Sequence, residues 1–482
     1  MLVILLGAID QTIVSVALPK MAADLGGVDL LAWVVSGYLI TAAVAMPIYG
    51  KLGDLYGRRV MLSSAIAIFL FASLGSALAP SMPFLVGARI VQGVGGGGLI
   101  SVAQAIIADV VAPRERGRYQ GYISAAFAVA SVSGPLLGGF LTSYLSWRWV
   151  FWINLPLGAA AMLISRRALV RLHTPRIRRP VDYLGAALMT VAISPFLIGV
   201  TRVGQGTPWL DETNLWLFGI TLIAILAFLW QEVRTEEPLV PLGLFRNPTV
   251  SLSCVLMFIA FILIVSLSVL IPLRAQMLLG VNADQAALQL VPFSLGIPVG
   301  AFVGGRLSST TGHFKRIQFC GAVCVPLAML GLILADAHTL GVNLICVALI
   351  GVSIGVQLPT STVAVQNAVA QRHMGIVTAT IVFCRSLGAA VGIAVLMAVL
   401  MATLQAMAPT SAGSVTGSAI IKDLVDHAVA LDAAMRGALI TSVDGAFRKV
   451  FITTAALASV SILLSLLLRD DELSGVAPAA AD

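Results

Sequence analysis

About fourteen long apolar runs constrain this chain more than any other feature of its sequence. A helix needs roughly 20 mostly apolar residues to cross the hydrocarbon core of a bilayer, and the runs approach or exceed that length. We therefore predict an all-α integral membrane protein with about 14 transmembrane helices. The runs cover approximately residues 2–19, 31–50, 60–79, 84–108, 119–144, 149–165, 183–203, 214–231, 250–272, 286–304, 317–335, 342–359, 375–402 and 450–468.

The composition excludes a soluble protein of this size. Apolar residues make up 59% of the 482 residues and Asp, Glu, Lys and Arg only 11%, which is too little charge to cover a soluble surface. The net charge of +7 does not indicate nucleic acid, because the basic residues are scattered between apolar runs. The five cysteines lie inside those runs, without the spacing of a disulfide framework or a zinc site. The lipid bilayer is therefore the predicted partner, and we expect no bound metal.

The basic residues also predict an orientation, because cytoplasmic loops of membrane proteins carry an excess of Lys and Arg. If the N-terminus is cytoplasmic and the helices alternate in direction, 19 of the 29 Lys and Arg residues fall on the cytoplasmic side. We therefore predict a multi-pass protein with an even number of helices and both termini in the cytoplasm.

Two polar linkers divide the chain into six, two and six helices. The segment 166–180 is basic throughout, and the segment 231–248 mixes glutamates with prolines. We predict a six-helix half at 1–165, two inserted helices with their linkers at 166–248, and a second six-helix half at 249–482. Within the second half we expect residues 408–448 to form a long external loop that carries an amphipathic helix.

The two predicted halves share a repeated turn. Gly50–Arg59 and Gly305–Phe314 are offset by 255 residues, and each segment ends one apolar run and begins the next. Gly57 matches Gly312, whereas Ser309 stands where Asp54 would be, so the second copy has lost its acid. Matching turns in two halves are typical of transporters built from parallel repeats.

The first copy of this turn has the residues for a charged latch. Its glycines allow a tight connection between closely packed helices. Asp54 can accept hydrogen bonds from a helix N-terminus or pair with Arg58, and such contacts can form in one arrangement of the halves and break in another. The alternative is a solvated basic loop. The residues assigned to this gating motif are Gly50, Gly53, Asp54, Gly57, Arg58, Arg59 and, at the end of the fourth run, Asp109.

Several segments resemble signatures of one transporter family. Gly50–Arg59 resembles the loop between helices two and three of the major facilitator superfamily, Arg89–Gly95 its fourth-helix motif, and Ala130–Gly139 its fifth-helix antiporter motif, with Ala130 in place of the usual glycine. Ile9–Pro19 resembles the first helix of the fourteen-helix drug:proton antiporters, the EmrB/QacA family, and Trp147–Pro156 is typical of that branch. The resemblance covers the chain and implies the major facilitator fold, a bacterial cytoplasmic membrane, and proton-driven export of hydrophobic, often cationic compounds.

Two charged residues fall inside apolar runs and are candidates for proton coupling. Asp10 lies near the middle of the first run, where insertion of a charge costs roughly 2.5–3.5 kcal/mol. We expect it to share a wet cavity with Gln11 and Thr12 and to bind a proton or a cation; the alternative is a structural carboxylate. The resemblance gives Arg89 a role in proton transfer, and the alternative is a structural anchor. Gln92 lies one turn further along the same face and is a candidate for the cavity wall.

The fifth apolar run contains a proline among small residues, namely Gly134, Pro135, Gly138 and Gly139. Small residues let helices approach closely, and proline removes one backbone hydrogen bond and bends the helix. We expect this face to form a sliding interface between the halves, or else a close helix contact without motion.

The second half offers weaker candidates for the cavity wall. Arg385 lies in the thirteenth run without an acidic residue nearby in that run, and it could bind backbone carbonyls, anionic lipid or substrate. For the remaining residues, ordinary core packing is the competing interpretation. They are Phe258, Phe261, Gln357, Thr360 and Gln366.

These features together predict a secondary active exporter, a drug:H⁺ antiporter with alternating access, and not an enzyme. No G-x-x-x-x-G-K-[ST] motif occurs, so we expect the proton gradient to drive transport without a cofactor. Because Asp10 is the one carboxylate expected near mid-membrane, we predict lipophilic substrates that are neutral or monovalent cations. The alternative functions are export of one endogenous metabolite, lipid or toxin, and a membrane scaffold or sensor that does not transport. A periplasmic adaptor and an outer-membrane channel are compatible partners that no residue demonstrates.

Overall fold

The structure is a computed structural model of the chain. It describes residues 1–27, 30–171, 182–204, 207–235, 237–281, 283–335, 339–370, 373–407 and 433–469. Within these ranges the chain is helical and contains no β-strand. The prediction of an all-α protein is therefore confirmed.

Fourteen helices are long and apolar enough to cross a membrane in the described ranges, as the apolar runs predict. We number them α1 to α14; α6 consists of two segments, Trp149–Trp152 and Asn154–Ala168, which are joined at Ile153. The first eight are α1 Leu2–Leu25, α2 Leu31–Tyr56, α3 Arg58–Ala77, α4 Met82–Val110, α5 Pro113–Tyr144, α6 Trp149–Ala168, α7 Tyr183–Gly204 and α8 Glu212–Arg234. The last six are α9 Pro248–Leu279, α10 Ala283–Thr311, α11 Lys315–Leu334, α12 Leu340–Asn367, α13 Met374–Met407 and α14 Ala433–Leu467.

The repeated turn of the sequence has the same backbone shape in both halves. Gly57 ends α2 with φ 91°, and Gly312 ends α10 with φ 75°. Positive φ values of this kind are readily adopted by glycine alone, because it has no Cβ. We call the end of the bundle that carries the Gly57 turn the turn face, and the other end the opposite face.

Helices α1–α6 and α9–α14 form two halves with the same packing pattern. In the first half α1 packs on α5, α2 on α4, and α3 on α4 and α6. In the second half α9 packs on α13, α10 on α12, and α11 on α12 and α14. Each helix thus repeats the contacts of the helix eight places earlier, so the six-helix halves are related by a pseudo-symmetry.

The two inserted helices lie at one side of the seam between the halves. Helix α7 packs on α2 of the first half and on α13 of the second, and α8 packs on α7. Leu197 of α7 is buried against Ile40 and Ala43 of α2. On α8, Leu222, Ile223, Leu226 and Trp230 remain exposed, as expected for side chains that face lipid. The insertion therefore covers one lateral edge of the seam.

The last helix is longer than the apolar run that predicts it. Helix α14 begins at Ala433, so residues 433–448, which we expected in the external loop, belong to this helix. Arg448 and Asp444 face each other one turn apart, with Arg448 Nε 3.6 Å from Asp444 Oδ2. Pairs of this kind stabilise a helix through charged residues. The apolar run that predicts the helix begins only after those residues. The remainder of the predicted loop, 408–432, lies outside the described residues.

Glycines bring α10 and α12 into direct backbone contact. Gly296, Gly300 and Gly304 follow one face of α10, and Gly351 and Gly355 lie opposite on α12. A Cβ on Gly355 would collide with the carbonyl oxygen of Ile297, which is backbone and cannot rotate away. Small residues at this spacing stabilise membrane helix pairs through close van der Waals packing.

We expect Gly355→Ala to lower the free energy of unfolding, because overpacking a close helix contact costs roughly 1–3 kcal/mol. The matched control is Gly341→Ala on the same helix, where a Cβ meets nothing within 4 Å. The control should be neutral or slightly stabilising, since alanine is the better helix former. Thermal unfolding of the purified variants in detergent checks this, and equal Tm values for both variants would contradict the close contact.

Candidate functional site

A cavity of about 670 Å³ lies between the two halves. Its wall is mostly apolar and comes from α1, α2, α4 and α5 of the first half, α9, α10, α12 and α13 of the second, and the inserted α7. Hydroxyl and amide groups are set into this wall, among them Gln11, Gln104, Gln120 and Ser268. A concave, mostly apolar surface with a few polar groups is the usual form of a site for small organic molecules.

Four of the candidate residues line this cavity, namely Gln11, Thr12, Phe261 and Arg385. The contribution of α7, through Leu197, Val200 and Thr201, was not expected from the sequence. No motif marks these three residues. They reach the cavity because α7 fills the lateral edge of the seam.

Five other candidates do not line the cavity, so their assignment to its wall is wrong. Gln92 is buried inside the first half. Gln357 and Thr360 face α11, where both contact the side chain of Gln318. Gln366 lies near the turn face and donates to Thr378 at 3.2 Å. Phe258 follows the lining residue Met257 and is turned from it by about 100° around the helix.

Arg385 extends into the cavity between two aromatic rings. Its guanidinium carbon Cζ lies 4.9 Å from the ring centre of Phe127 and 5.0 Å from that of Phe261. Phe127 belongs to α5 of the first half, whereas Phe261 and Arg385 belong to α9 and α13 of the second. The cation therefore bridges the seam through the faces of two rings, which attract it electrostatically.

Asp10 and Arg89 form an ion pair in the interior of the first half. Arg89 Nη1 donates to Asp10 Oδ2 at 2.7 Å, and the two side chains are 0% and 1% exposed. Arg89 Nε also donates to the backbone oxygen of Val34 at 3.1 Å, and its guanidinium lies 4.2 Å from the ring centre of Tyr38. Every charge in this cluster therefore has a close partner, as a buried charge requires.

Two amides complete the hydrogen bonding of Asp10. Gln92 Nε2 donates to Asp10 Oδ1 at 2.9 Å and Asn154 Nδ2 donates to the same oxygen at 2.8 Å. Both amides also reach the hydroxyl of Ser73, at 2.8 and 3.3 Å. The sequence does not identify Asn154 as a site residue, although Asn154 lies within the segment Trp147–Pro156 that is typical of the fourteen-helix branch. Its role becomes apparent only in the folded structure, where α6 packs near α1 and brings Asn154 to Asp10.

The structure corrects the expected position of Asp10. Gln11 and Thr12 face the cavity, but Asp10 points away from it, into the bundle of α1, α3, α4 and α6. Successive residues of a helix are turned by about 100°, so neighbours in sequence can face different environments. Asp10 is thus next to the cavity wall, on the same helix, without lining it.

At the turn face, Asp54 joins the two halves. Its carboxylate accepts hydrogen bonds from the backbone N–H groups of Gly375 at 3.0 Å and Ile376 at 2.9 Å, at the beginning of α13. Arg58 pairs with the same carboxylate and also donates to Asp109 Oδ2 at 2.8 Å. A carboxylate at a helix N-terminus is stabilised by the unpaired N–H groups and by the helix dipole.

Further contacts close the same end of the molecule. Arg114 of α5 donates to the backbone oxygens of Ser309 at 2.8 Å and Thr310 at 2.9 Å, at the end of α10. Lys51 pairs with Glu237 of the second linker at 3.0 Å. Ser309, the residue that replaces the acid in the second repeat, therefore takes part through its backbone oxygen.

The other members of the gating motif have separate places. A Cβ on Gly50 would lie 2.8 Å from the backbone oxygen of Gly375, so the glycine permits the close approach of α2 and α13. Gly53 similarly leaves room for the Arg58 side chain. Arg59 is half-buried, and its side chain makes neither a hydrogen bond nor an ion pair within the described ranges. Apart from Arg59, the charged residues of the motif meet at the turn face.

The glycine face of α5 lies inside the first half, so our expectation of a sliding interface there is wrong. A Cβ on Gly138 would lie 2.6 Å from the backbone oxygen of Ile13 on α1, and Gly134 faces Thr12. Thr12 Oγ1 donates to the backbone oxygen of Ala130 at 2.9 Å. Pro135 is exposed, and Gly139 has only Val16 within 4 Å. This face packs α5 on α1.

The seam contact of α5 is formed by other glycines, nearer the turn face. A Cβ on Gly117 would lie 2.7 Å from the backbone oxygen of Gly305 on α10. One turn further along α5, a Cβ on Gly121 would lie 3.1 Å from the Cα of Phe302. Gly117 lies one turn after Arg114, so the same end of α5 provides both the close glycine contact and the charged contact with α10.

Known transporters resemble this chain in sequence. An uncharacterized MFS-type transporter of Mycobacterium tuberculosis is 31% identical over 482 residues, which is 99% of this chain and 70% of that protein. The multidrug transporter protein MdtP of Bacillus subtilis is 33% identical over 383 residues, which is 79% of this chain and 70% of that protein.

Solved transporter structures share the fold. The proton:xylose symporter XylE matches with a TM-score of 0.61 at 14% identity, over 98% of this chain and 95% of that one. The human organic anion transporter MFSD10 matches with a TM-score of 0.59 at 15% identity, over 95% and 98%. The sequence profile of the Major Facilitator Superfamily matches residues 1–393. With its fourteen helices and two similar halves around a central cavity, the chain belongs to the Major Facilitator Superfamily of membrane transporters.

Proposed function

We propose that this chain is a proton-coupled exporter that moves lipophilic compounds by alternating access. The observation that carries the proposal is the fully buried ion pair between Asp10 on α1 and Arg89 on α4, two helices that also line the cavity. A carboxylate that gains and loses a proton there changes the charge balance of the bundle directly behind the cavity wall. Relatives about 32–33% identical that are named as a multidrug resistance protein of Bacillus subtilis and an efflux pump of Dothistroma septosporum support export as the direction of transport.

Proton binding at Asp10 offers a physical means of coupling. Breaking a buried ion pair by removing one charge typically costs 3–5 kcal/mol, so protonation of Asp10 would leave Arg89 uncompensated and favour a rearrangement. Asn154 can serve both states, because its amide N–H donates to the carboxylate and its Oδ1, which has no partner in the described ranges, can accept from the acid. Gln11 and Thr12 would transmit the rearrangement to the cavity.

The second element of the proposed cycle is the cluster at the turn face. Asp54, Arg58 and Asp109 hold α2, α3 and α4 to the beginning of α13, and Arg114 holds α5 to the end of α10. These contacts close one end of the seam, and the cavity lies between the halves around the middle of the helices. We assign this conformation as outward-facing, and release of the cluster would be required for the inward-facing one.

The proposed location is a bacterial cytoplasmic membrane, with the turn face and both termini in the cytoplasm. The excess of basic residues at the turn-face loops supports this orientation. The proton gradient is the proposed energy source, without a cofactor. Partnership with a periplasmic adaptor and an outer-membrane channel stays a prediction.

The structure does not support the predicted preference for cationic substrates. It depended on Asp10 acting as a counter-charge inside the cavity, and Asp10 does not line the cavity. We therefore keep lipophilic compounds as the proposed substrate class and remove the positive charge from its definition.

We expect Asp10→Asn to abolish substrate-induced proton release, because the amide keeps the hydrogen bonds but cannot exchange a proton. Asp10→Glu should retain part of it. The measurement is fluorescence of a pH-gradient dye in inverted vesicles at matched expression, with a substrate identified by a drug-susceptibility panel in an efflux-deficient host. Asp24→Asn is the matched control, since Asp24 is an exposed acid at the other end of α1. Wild-type proton release by Asp10→Asn would remove Asp10 from the mechanism.

We expect Asp54→Asn to insert and fold but to lose most transport, because a neutral amide binds the α13 N-terminus and Arg58 more weakly. The turn face should then open more often, which spin labels on α2 and α13 would report as a broadened distance distribution. Arg59→Gln is the control, because it removes a charge from the same motif without removing a contact. Equal transport by both variants would show that the turn is only a connector.

The proposed orientation predicts opposite labelling of two exposed glycines. Gly243 lies between α8 and α9 at the turn face, and Gly341 lies at the beginning of α12 at the opposite face. In a background with the five native cysteines replaced by serine, an impermeant maleimide should label Gly341→Cys in intact cells. Gly243→Cys should react only after permeabilisation, and the reverse pattern would invert the topology.

A further inference from the structure

The cavity contains one charge, and it is positive. Of the residues that line it in the described part of the chain, Arg385 alone is charged, and no Asp or Glu is among them. Gln104, Gln120, Ser294 and similar groups supply the other polar surface. The electrostatic potential inside the cavity is therefore set by one guanidinium and favours a negative ligand.

Arg385 differs from the other arginines that are buried between these helices. Arg89 pairs with Asp10, Arg58 pairs with Asp54 and Asp109, and Arg116 donates to the backbone oxygen of Val111 at 3.1 Å. Within the described ranges Arg385 makes neither an ion pair nor a hydrogen bond. Its side chain is half-buried, and its contacts are two ring faces, which accept no conventional hydrogen bond.

This arrangement leaves five N–H donors and one positive charge available to whatever occupies the cavity. A guanidinium binds a carboxylate or sulfonate through two parallel hydrogen bonds, and in a partly desolvated site such charge-assisted bonds are roughly twice as strong as neutral ones. Phe127 and Phe261 each place a ring face against the guanidinium. They also offer apolar surface beside the charge.

We infer that the cavity binds amphipathic organic anions, with a carboxylate or sulfonate on Arg385 and an apolar body against the surrounding wall. The inference rests on the proposed function, since it takes this cavity as the transport site. It narrows the proposed substrate class from lipophilic compounds to lipophilic anions. The charge of these substrates is opposite to the positive charge that the sequence suggests.

The position of Arg385 also connects anion binding to the conformational cycle. Phe127 lies on α5 of the first half, and Arg385 and Phe261 lie on the second half. Separation of the halves at this level would therefore remove the contact between Arg385 and the Phe127 ring. An anion on Arg385 consequently experiences a different environment in each state. A ligand shifts a conformational equilibrium only through such a difference in affinity.

The test uses three probes that share a pyrene body and differ in the head group: pyrenebutyrate, pyrenebutanol and pyrenebutyl-trimethylammonium. Binding to the purified full chain in phosphatidylcholine nanodiscs is measured by equilibrium dialysis, and binding to empty nanodiscs is subtracted. We expect the carboxylate to bind at least tenfold more tightly than the alcohol, and the ammonium most weakly. A tenfold preference corresponds to about 1.4 kcal/mol.

Substitutions then assign the preference to one side chain. Arg385→Gln should remove the advantage of the carboxylate and leave the affinity for the alcohol unchanged, and Arg385→Lys should keep part of the advantage. Arg448→Gln, which removes an exposed charge on α14, is the matched control and should behave like the wild type. The inference is overturned if the three probes bind equally, if none binds, or if Arg385→Gln retains the carboxylate preference.

An anionic lipid head group has the same chemistry as a free organic anion, so the lipid is varied as well. Unchanged pyrenebutyrate affinity in nanodiscs containing phosphatidylglycerol supports a free anion, and competition by that lipid assigns the site to a head group and overturns the inference. Binding is independent of proton coupling. Wild-type proton release by Asp10→Asn therefore refutes the proposed coupling without affecting this result, and a lost anion preference leaves the coupling intact.

Discussion

The ion pair between Asp10 and Arg89 is the contact on which the first half of the molecule depends. Both side chains are fully buried, so the surrounding helices must supply a partner for each charge. Asn154 of α6 and Ser73 of α3 complete the cluster, which thereby ties α1, α3, α4 and α6 together. Protonation of Asp10 would therefore affect four helices at once, and two of them, α1 and α4, form part of the cavity wall.

The two ends of the seam between the halves are held differently. At the turn face, charges meet backbone groups at helix ends: Asp54 meets the beginning of α13, and Arg114 meets the end of α10. Farther from this face the halves are separated by the cavity. Charge-assisted bonds of this kind are strong in one geometry and weak after a small displacement, which suits a contact that has to form and break.

The inserted helix α7 and Arg385 determine the shape of one side of the cavity and the charge in its wall. Helix α7 closes a lateral edge and contributes Leu197 and Val200 to an apolar wall. Arg385 places a cation in that wall, between rings from both halves. Asp10, Asp54 and Asp109 pair with Arg89 or Arg58, and none of these acids lines the cavity. The charge in the cavity wall therefore comes from Arg385 of the second half.

The sequence by itself determined the number of helices and the repeated turn at Gly57 and Gly312, since these depend on local hydropathy and backbone freedom. It offered the pairing of Asp54 with Arg58 as one of several interpretations of that turn. It identified Asp10 and Arg89 as costly charges, but not that they pair across 79 residues. Tertiary structure alone decided that Asp10 faces the bundle, that Asn154 joins it, that the Gly134–Gly138 face packs on α1, and that Arg385 faces the cavity. The physical reason is that helical spacing gives the angle between neighbouring side chains, whereas the environment at each angle is set by helices distant in the chain.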